Sequence, residues 1–312
     1  VTGYLTLYPL TFGLRLGQFS LILQASWAAG ALLLEQRRDR WAGLAFSPLL
    51  IKPELLIPVG LFVLVKRRWQ SVATLLPIAL GAALVSVAIV GVGTAIQYPG
   101  FVLGSTATNG AGVAPNLMVD YSGAIAASFG HGASVTRPLA SAALAVLSLG
   151  AVALLAGNRW GRGVRHARAG RLGSEAAGTG FRVEWLAVSL AALLCDPHLY
   201  LQDTIIVVPA AAALLAALQG SARNQFAAVL LLGWGIERLA LYPNDHLHIN
   251  LFALFLTAML VVLLAKAWPR RTAHQRARID RLPARTAHLR AGAPGERSRE
   301  PHGTAEVGSE GG

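Results

Sequence analysis

Lys52 stands between Ile51 and Pro53 in an otherwise apolar stretch, and an ammonium group in that setting needs a reason. At membrane depth a lysine costs about 2.5 to 3.5 kcal/mol and persists where it has a partner or a wet cavity. Two readings stand. Lys52 snorkels to the interface or pairs with Glu54, or it meets an anionic group such as a lipid phosphate at the outer leaflet.

A second polar cluster, CDPHLYLQD, closes a later apolar run. Its carboxylates, Asp196 and Asp203, are seven residues apart and would share one face of a continuous helix. Pro197 predicts a break instead, leaving Asp196 in a loop with His198. A carboxylate and an imidazole that close could exchange protons, hold a cation or fix the turn by a hydrogen bond, and the spacing leaves these alternatives open. The DHLH set, Asp245, His246 and His248, is a weak metal signal, so no metal ligand is assigned. Glu237 and Arg238 most simply neutralise neighbours within a bundle. Cys195, the single cysteine, excludes an intramolecular disulfide and reads as a packed thiol. No glycine-rich phosphate loop, serine nucleophile elbow or HExxH helix occurs, which speaks against soluble nucleotide-dependent chemistry.

The elements that must position these groups belong to a membrane. With 54% hydrophobic and 13% charged residues and a mean hydropathy of +0.52, the chain is too apolar and too charge-poor for a soluble domain of its length. The run 17–34 is just long enough to cross about 30 Å of hydrocarbon as a helix. Basic clusters follow it at Arg37, Arg38 and Arg40, and again at Lys66, Arg67 and Arg68. The segment between the clusters begins and ends on one side and is too short for two spans. It reads as a pair of short helices or a re-entrant hairpin with Lys52 near the turn.

Further spans are expected over 71–93, 138–156, 183–199, 204–218, 226–242 and 249–267. A long, nearly uncharged loop is expected over 94–137, and a flexible arginine-rich cytoplasmic loop over 157–182. The apolar part, 1–268, forms one helical domain, and 269–312, which lacks apolar periodicity, is expected to be a disordered basic cytoplasmic tail. The chain opens on Val1 without a basic leader, which reads as a fragment of a longer protein.

Clustered Lys and Arg mark the cytoplasmic side. This topology puts 23 of the 27 Lys and Arg inside, and 13 against 4 once the tail is discounted, so the net charge of +12 reflects orientation rather than nucleic-acid binding. Asp120, His131, Asp196, His198, Asp203, Glu237, Asp245, His246 and His248 all fall at outer span ends or loops. Interface anchoring explains about half of them. A pocket at that face explains the set, along with the scarcity of acids on the other face.

Gly17-Gln18 opening a span, Ala42-Gly43 starting a short helix, Lys52-Pro53 before an apolar run ending in KRRW, and the DPHLYLQD junction together resemble glycosyltransferase family 87. The likeness runs from about Gly17 to Trp268. It implies an all-α, polytopic membrane bundle of GT-C type with a short helical hairpin around Lys52-Pro53. It further implies inverting transfer of a hexose, most simply mannose, from a polyprenyl-phosphate sugar to a lipid or glycan acceptor at the extracytoplasmic face of the cell membrane. The family's catalytic aspartate lies in a loop upstream of the Gly-Gln pair, so the base is expected before Val1 rather than at Asp120 or Asp196. Lys52 and Gln18 would then meet the donor phosphate, and His198, Asp203 and Asp196 would line the donor or acceptor pocket. The resemblance implies the lipid-linked sugar as co-substrate; it assigns no other cofactor and is compatible with a divalent cation. The family pattern carries Asn where this chain has Ser20, so the hydrogen bond there should differ. A transporter or lipid flippase is the alternative, but it should show matched broken helices in two halves, and the Lys-Pro interruption occurs once.

Overall fold

A computed structural model describes residues 19–98, 100, 118, 120–129, 136–167, 174–196, 201–239 and 250–267. All belong to one compact unit, Val1–Ala267, and most are helical, with no strand among the described residues. The helices are α1 (Ser20–Glu35), α2 (Asp39–Ala45), α3 (Leu56–Val65), α4 (Trp69–Val90), α5 (Tyr121–Phe129), α6 (Thr136–Ala167), α7 (Ser174–Cys195), α8 (Val207–Ala217), α9 (Gly220–Leu239) and α10 (Leu251–Ala267). Three carry stretches long and apolar enough to cross a membrane: Trp69–Val90, Leu139–Gly157 and Gly178–Cys195.

The hairpin around Lys52 is built from short pieces. After α2 come two 3-10 turns, Ser47–Ile51 and Pro53–Leu55, with Lys52 between them, and then α3. At 1.5 Å per residue, α3 is about 15 Å long, half of a bilayer core. The segment therefore enters and returns without spanning, as the two flanking basic clusters require.

Helix α7 is the centre. Every residue from Trp185 to Leu194 is buried, whereas none of the apolar window on α4 is. Within lipid, apolar area gives no net drive to associate, so close packing and hydrogen bonds must hold the bundle. Trp185 of α7 supplies the packing, with ring centroids 5.2 Å from Trp27, 5.5 Å from Phe62, 5.8 Å from Phe46 and 6.2 Å from Phe181. The Trp27 indole N–H donates to Ser189 Oγ at 2.9 Å, tying α1 to α7 through a polar contact. Phe46 reaches this cluster because α1 has glycine beneath it. A Cβ on Gly30 would stand 2.1 Å from the Phe46 ring.

Two expectations need correction. The arginine-rich stretch after Gly157 is not all flexible loop: α6 continues to Ala167 and α7 begins at Ser174. Arginine and alanine are good helix formers, and scattered glycines cost about 1 kcal/mol each, too little to stop a helix already nucleated by its apolar half. Nor is 94–137 all loop, since α5 lies within it. Buried Asp120 accepts from the Gly123 N–H at 2.6 Å and so starts α5, while the Tyr121 hydroxyl shares a 2.6 Å hydrogen bond with Ser148 Oγ of α6. Asn250 completes the anchorage: its amide donates to the Met118 carbonyl, and its Oδ1 accepts from the Ala253 N–H at the start of α10.

Candidate active site

Lys52 and Asp196 leave their helices for the same local reason. Each precedes a proline, whose ring crowds the preceding residue out of the helical region. Lys52 accordingly adopts φ −131° and ψ 76° between its two 3-10 turns, and α7 ends at Cys195, one residue before Asp196. The break predicted from Pro197 is there. Asp203 sits within the 3-10 turn Leu201–Ile206 that leads into α8.

These three breaks converge. Lys52 Nζ lies 2.7 Å from Asp196 Oδ2 and 2.7 Å from Asp203 Oδ2. The other oxygen of Asp203 accepts from Ser20 Oγ at 3.0 Å, and one turn along α1 the Gln24 amide donates to the Ile205 carbonyl at 3.0 Å. Asp196 is 1% exposed, Asp203 is 6%, and the Lys52 side chain retains 16%. Paired charges at that depth are held by each other, because removing one partner leaves an uncompensated buried ion.

The pairing settles the bland reading of Lys52 differently from the expectation. Its ion pairs go to Asp196 and Asp203, and Glu54 lies only within electrostatic reach of the same cluster. One cation faces two carboxylates. An ammonium has three N–H donors, and two are directed at aspartates.

Gln18 and His198, expected beside Lys52, lie outside the described residues, as do His131, Asp245, His246 and His248. Asp120 is buried in the α5 turn. Glu237 is 7% exposed within α9. Among the described residues no group of three or more His, Cys, Asp and Glu side chains is placed to hold a metal. Ser20 and Gln24 are the participants that the sequence reading undervalued. Their signals were being polar and four apart on a mostly apolar helix, and for Ser20 also standing where a different hydrogen bond was expected.

The opposite end of the bundle is charged too, in a different manner. Lys66 pairs with Glu184 at 2.7 Å, Arg68 with Asp39 at 2.9 Å and Arg182 with Glu35 at 3.1 Å. The scarcity of acids expected at the arginine face is thus only relative, since Glu35, Asp39 and Glu184 are there and each is consumed by a cation. Glu184 and Asp196 are twelve residues apart at the two ends of α7's buried stretch, about 18 Å along the axis. Lys52 and the basic turns therefore occupy opposite ends.

Fold and site together define a polytopic, all-α membrane protein with a buried, charge-paired polar cluster at the end of the bundle opposite Arg68 and Arg182. The model of glycosyltransferase family 87 matches residues 1–197. The chain belongs to that family, a membrane glycosyltransferase of GT-C type. The match takes in Ser20, Lys52 and Asp196 and ends before Asp203. No curated protein and no solved structure matches the chain.

Proposed function

We propose that the chain transfers a hexose, most simply mannose, from a polyprenyl-phosphate donor to a lipid or glycan acceptor at the extracytoplasmic side of the cell membrane, with the Lys52 end of the bundle as the reacting end. The observation that carries this reading is the Lys52–Asp196–Asp203 cluster, a charge-paired polar site buried among helices.

In the inverting reaction the acceptor hydroxyl oxygen attacks the anomeric carbon, the bond from that carbon to the phosphate oxygen breaks, and the electron pair leaves with the phosphate. A base takes the hydroxyl proton. Charge develops on the leaving phosphate, and a fixed donor aimed at it lowers the barrier. Lys52 supplies that donor through its remaining N–H while Asp196 and Asp203 hold the ammonium in place. Ser20 and Gln24 steady the turn that carries Asp203. Gln18 and His198 complete the donor and acceptor pocket.

The test is transfer of labelled sugar from polyprenyl-phosphate donors by membranes carrying the complete protein. Lys52→Arg keeps a cation between the aspartates but replaces a point donor by a planar fork. It should leave the protein folded and cut transfer by at least about tenfold, the loss of one well-placed donor. Undiminished transfer removes Lys52 from the phosphate, and movement of intact lipid-linked sugar without a new glycosidic bond would favour the flippase alternative.

A further inference from the structure

The chain reverses direction twice in the same manner, thirty residues apart. At the end of α1 the Arg37 N–H bonds the Leu34 carbonyl at 3.2 Å, and the Arg38 N–H reaches back to Leu33 at 2.8 Å. At the end of α3 the Arg67 N–H bonds Leu64 at 2.9 Å, and the Arg68 N–H reaches Val63 at 2.9 Å. Both are Schellman caps, whose left-handed position is normally glycine. Here it is arginine in both, Arg37 at φ 63° and Arg67 at φ 54°, the sole non-glycine residues with positive φ among those described. Glycine would be the unstrained choice at either position.

The two turns are clasped together. Arg68 reaches Asp39 at 2.9 Å, and Ser71 Oγ donates to the Asp39 carbonyl at 2.7 Å. A Cβ on Gly43 would stand 2.5 Å from the Ser71 carbonyl, so α2 lies directly against α4. Asp39 pairs with Arg68 and Glu184 with Lys66, and the side chains of Arg37, Arg38, Arg40 and Arg67 reach the surface at the same corner. Partial burial and the nearby Arg68 lower the Arg37 guanidinium from its ordinary range, and Asp39 only partly restores it. An anion there would relieve that repulsion.

A tryptophan follows each turn, Trp41 at 62% and Trp69 at 60% exposure. Trp69 opens α4, a candidate span, so the corner lies where hydrocarbon meets headgroups. Amphipathic indole rings favour that depth, and guanidinium groups bind phosphate in a bidentate fashion.

We propose that the paired turns form a clamp for the headgroup of an anionic phospholipid in the adjacent leaflet, with Arg37 and Arg67 on the phosphate and Trp41 and Trp69 against the glycerol and upper acyl region. The clamp is separate from the Lys52 cluster and does not depend on its chemistry. The doubled arginine at positions where glycine would be easier, joined to two exposed indoles at membrane depth, is what distinguishes it from ordinary cytoplasmic charge.

The experiment uses the full chain purified in neutral detergent and in phosphatidylcholine nanodiscs with and without phosphatidylglycerol. Melting temperature and the lipids retained in native mass spectrometry are read together. The wild type should retain phosphatidylglycerol over phosphatidylcholine and melt higher with it. Arg37→Gly/Arg67→Gly keeps the left-handed turns while removing both charges, and should melt no lower than wild type in phosphatidylcholine. Its affinity for phosphatidylglycerol should fall about 25-fold, at about fivefold for each arginine near a membrane surface. Arg37→Asn/Arg67→Asn, also tolerant of positive φ, should behave alike, and Arg223→Gln on α9 should change nothing. Absence of lipid preference in the wild type, an equal loss with Arg223→Gln, or the same thermal shift from inorganic phosphate alone would each overturn the clamp.

Discussion

Lys52 Nζ and Asp196 Oδ2 are 2.7 Å apart although 144 residues separate them in the chain, and each belongs to a residue pushed out of its helix by the proline that follows. The same local accident of geometry, repeated in two distant segments, places an ammonium and a carboxylate at the same end of the bundle. Asp203 then closes the cluster on the side of α1.

Lys52→Ala should destabilise the protein as well as silence it. It strands two buried aspartates, and breaking such a pair costs about 3 to 5 kcal/mol. The triple variant Lys52→Met/Asp196→Asn/Asp203→Asn removes all three charges together and should recover much of that loss. Fluorescence-detected size-exclusion after a heat step measures both; equal melting of the single and triple variants would show that the aspartates are not held by Lys52.

Ser20→Ala removes one hydrogen bond to a buried carboxylate. Bonds to charged groups contribute about 1.5 to 3 kcal/mol, so a drop of that order in unfolding free energy is expected, with Ser20→Asn restoring a donor. A melting curve indistinguishable from wild type for Ser20→Ala would count against the contact with Asp203.

Packing against α1 makes a sharper steric forecast. Gly30→Ala drives a methyl into the Phe46 ring and should cost about 1 to 3 kcal/mol. Gly81→Ala on α4, where nothing lies within 4 Å of the added carbon, should be neutral or stabilising by up to about 1 kcal/mol. The pair is compared in the same detergent, and equal penalties at both sites would contradict the packing.

The two charged ends should face opposite sides of the membrane. In a Cys195→Ser background, Ile51→Cys near Lys52 and Arg67→Cys at the basic corner, both exposed, are labelled by a membrane-impermeant maleimide on intact cells or inverted vesicles. Ile51→Cys should react from outside and Arg67→Cys only from inside. Reaction of both from one side would remove the orientation on which the proposed site rests.

Much of the bundle was legible before any coordinates. Apolar run length and the placement of Lys and Arg are local quantities, and they marked α1, the half-length hairpin at Lys52, α4, the apolar half of α6 and the break at Pro197. Helix ends were read less well. The arginine-bearing extension of α6 to Ala167 carries no stop signal stronger than glycine, and α5 depends on Asp120, Ser148 and Asn250 brought from separate segments.

The sequence by itself determined that this is an all-α membrane protein with its cations gathered on one side, because hydrocarbon thickness and charge placement act on each segment independently. It also singled out Lys52 as a cation in costly surroundings and Asp196 and Asp203 as candidate site carboxylates. Only the tertiary structure decided that the three satisfy one another and that Glu54 is not the partner of Lys52. Which buried charges meet depends on how α1, the hairpin and α7 pack, and no spacing along the chain encodes a contact between residues 144 apart.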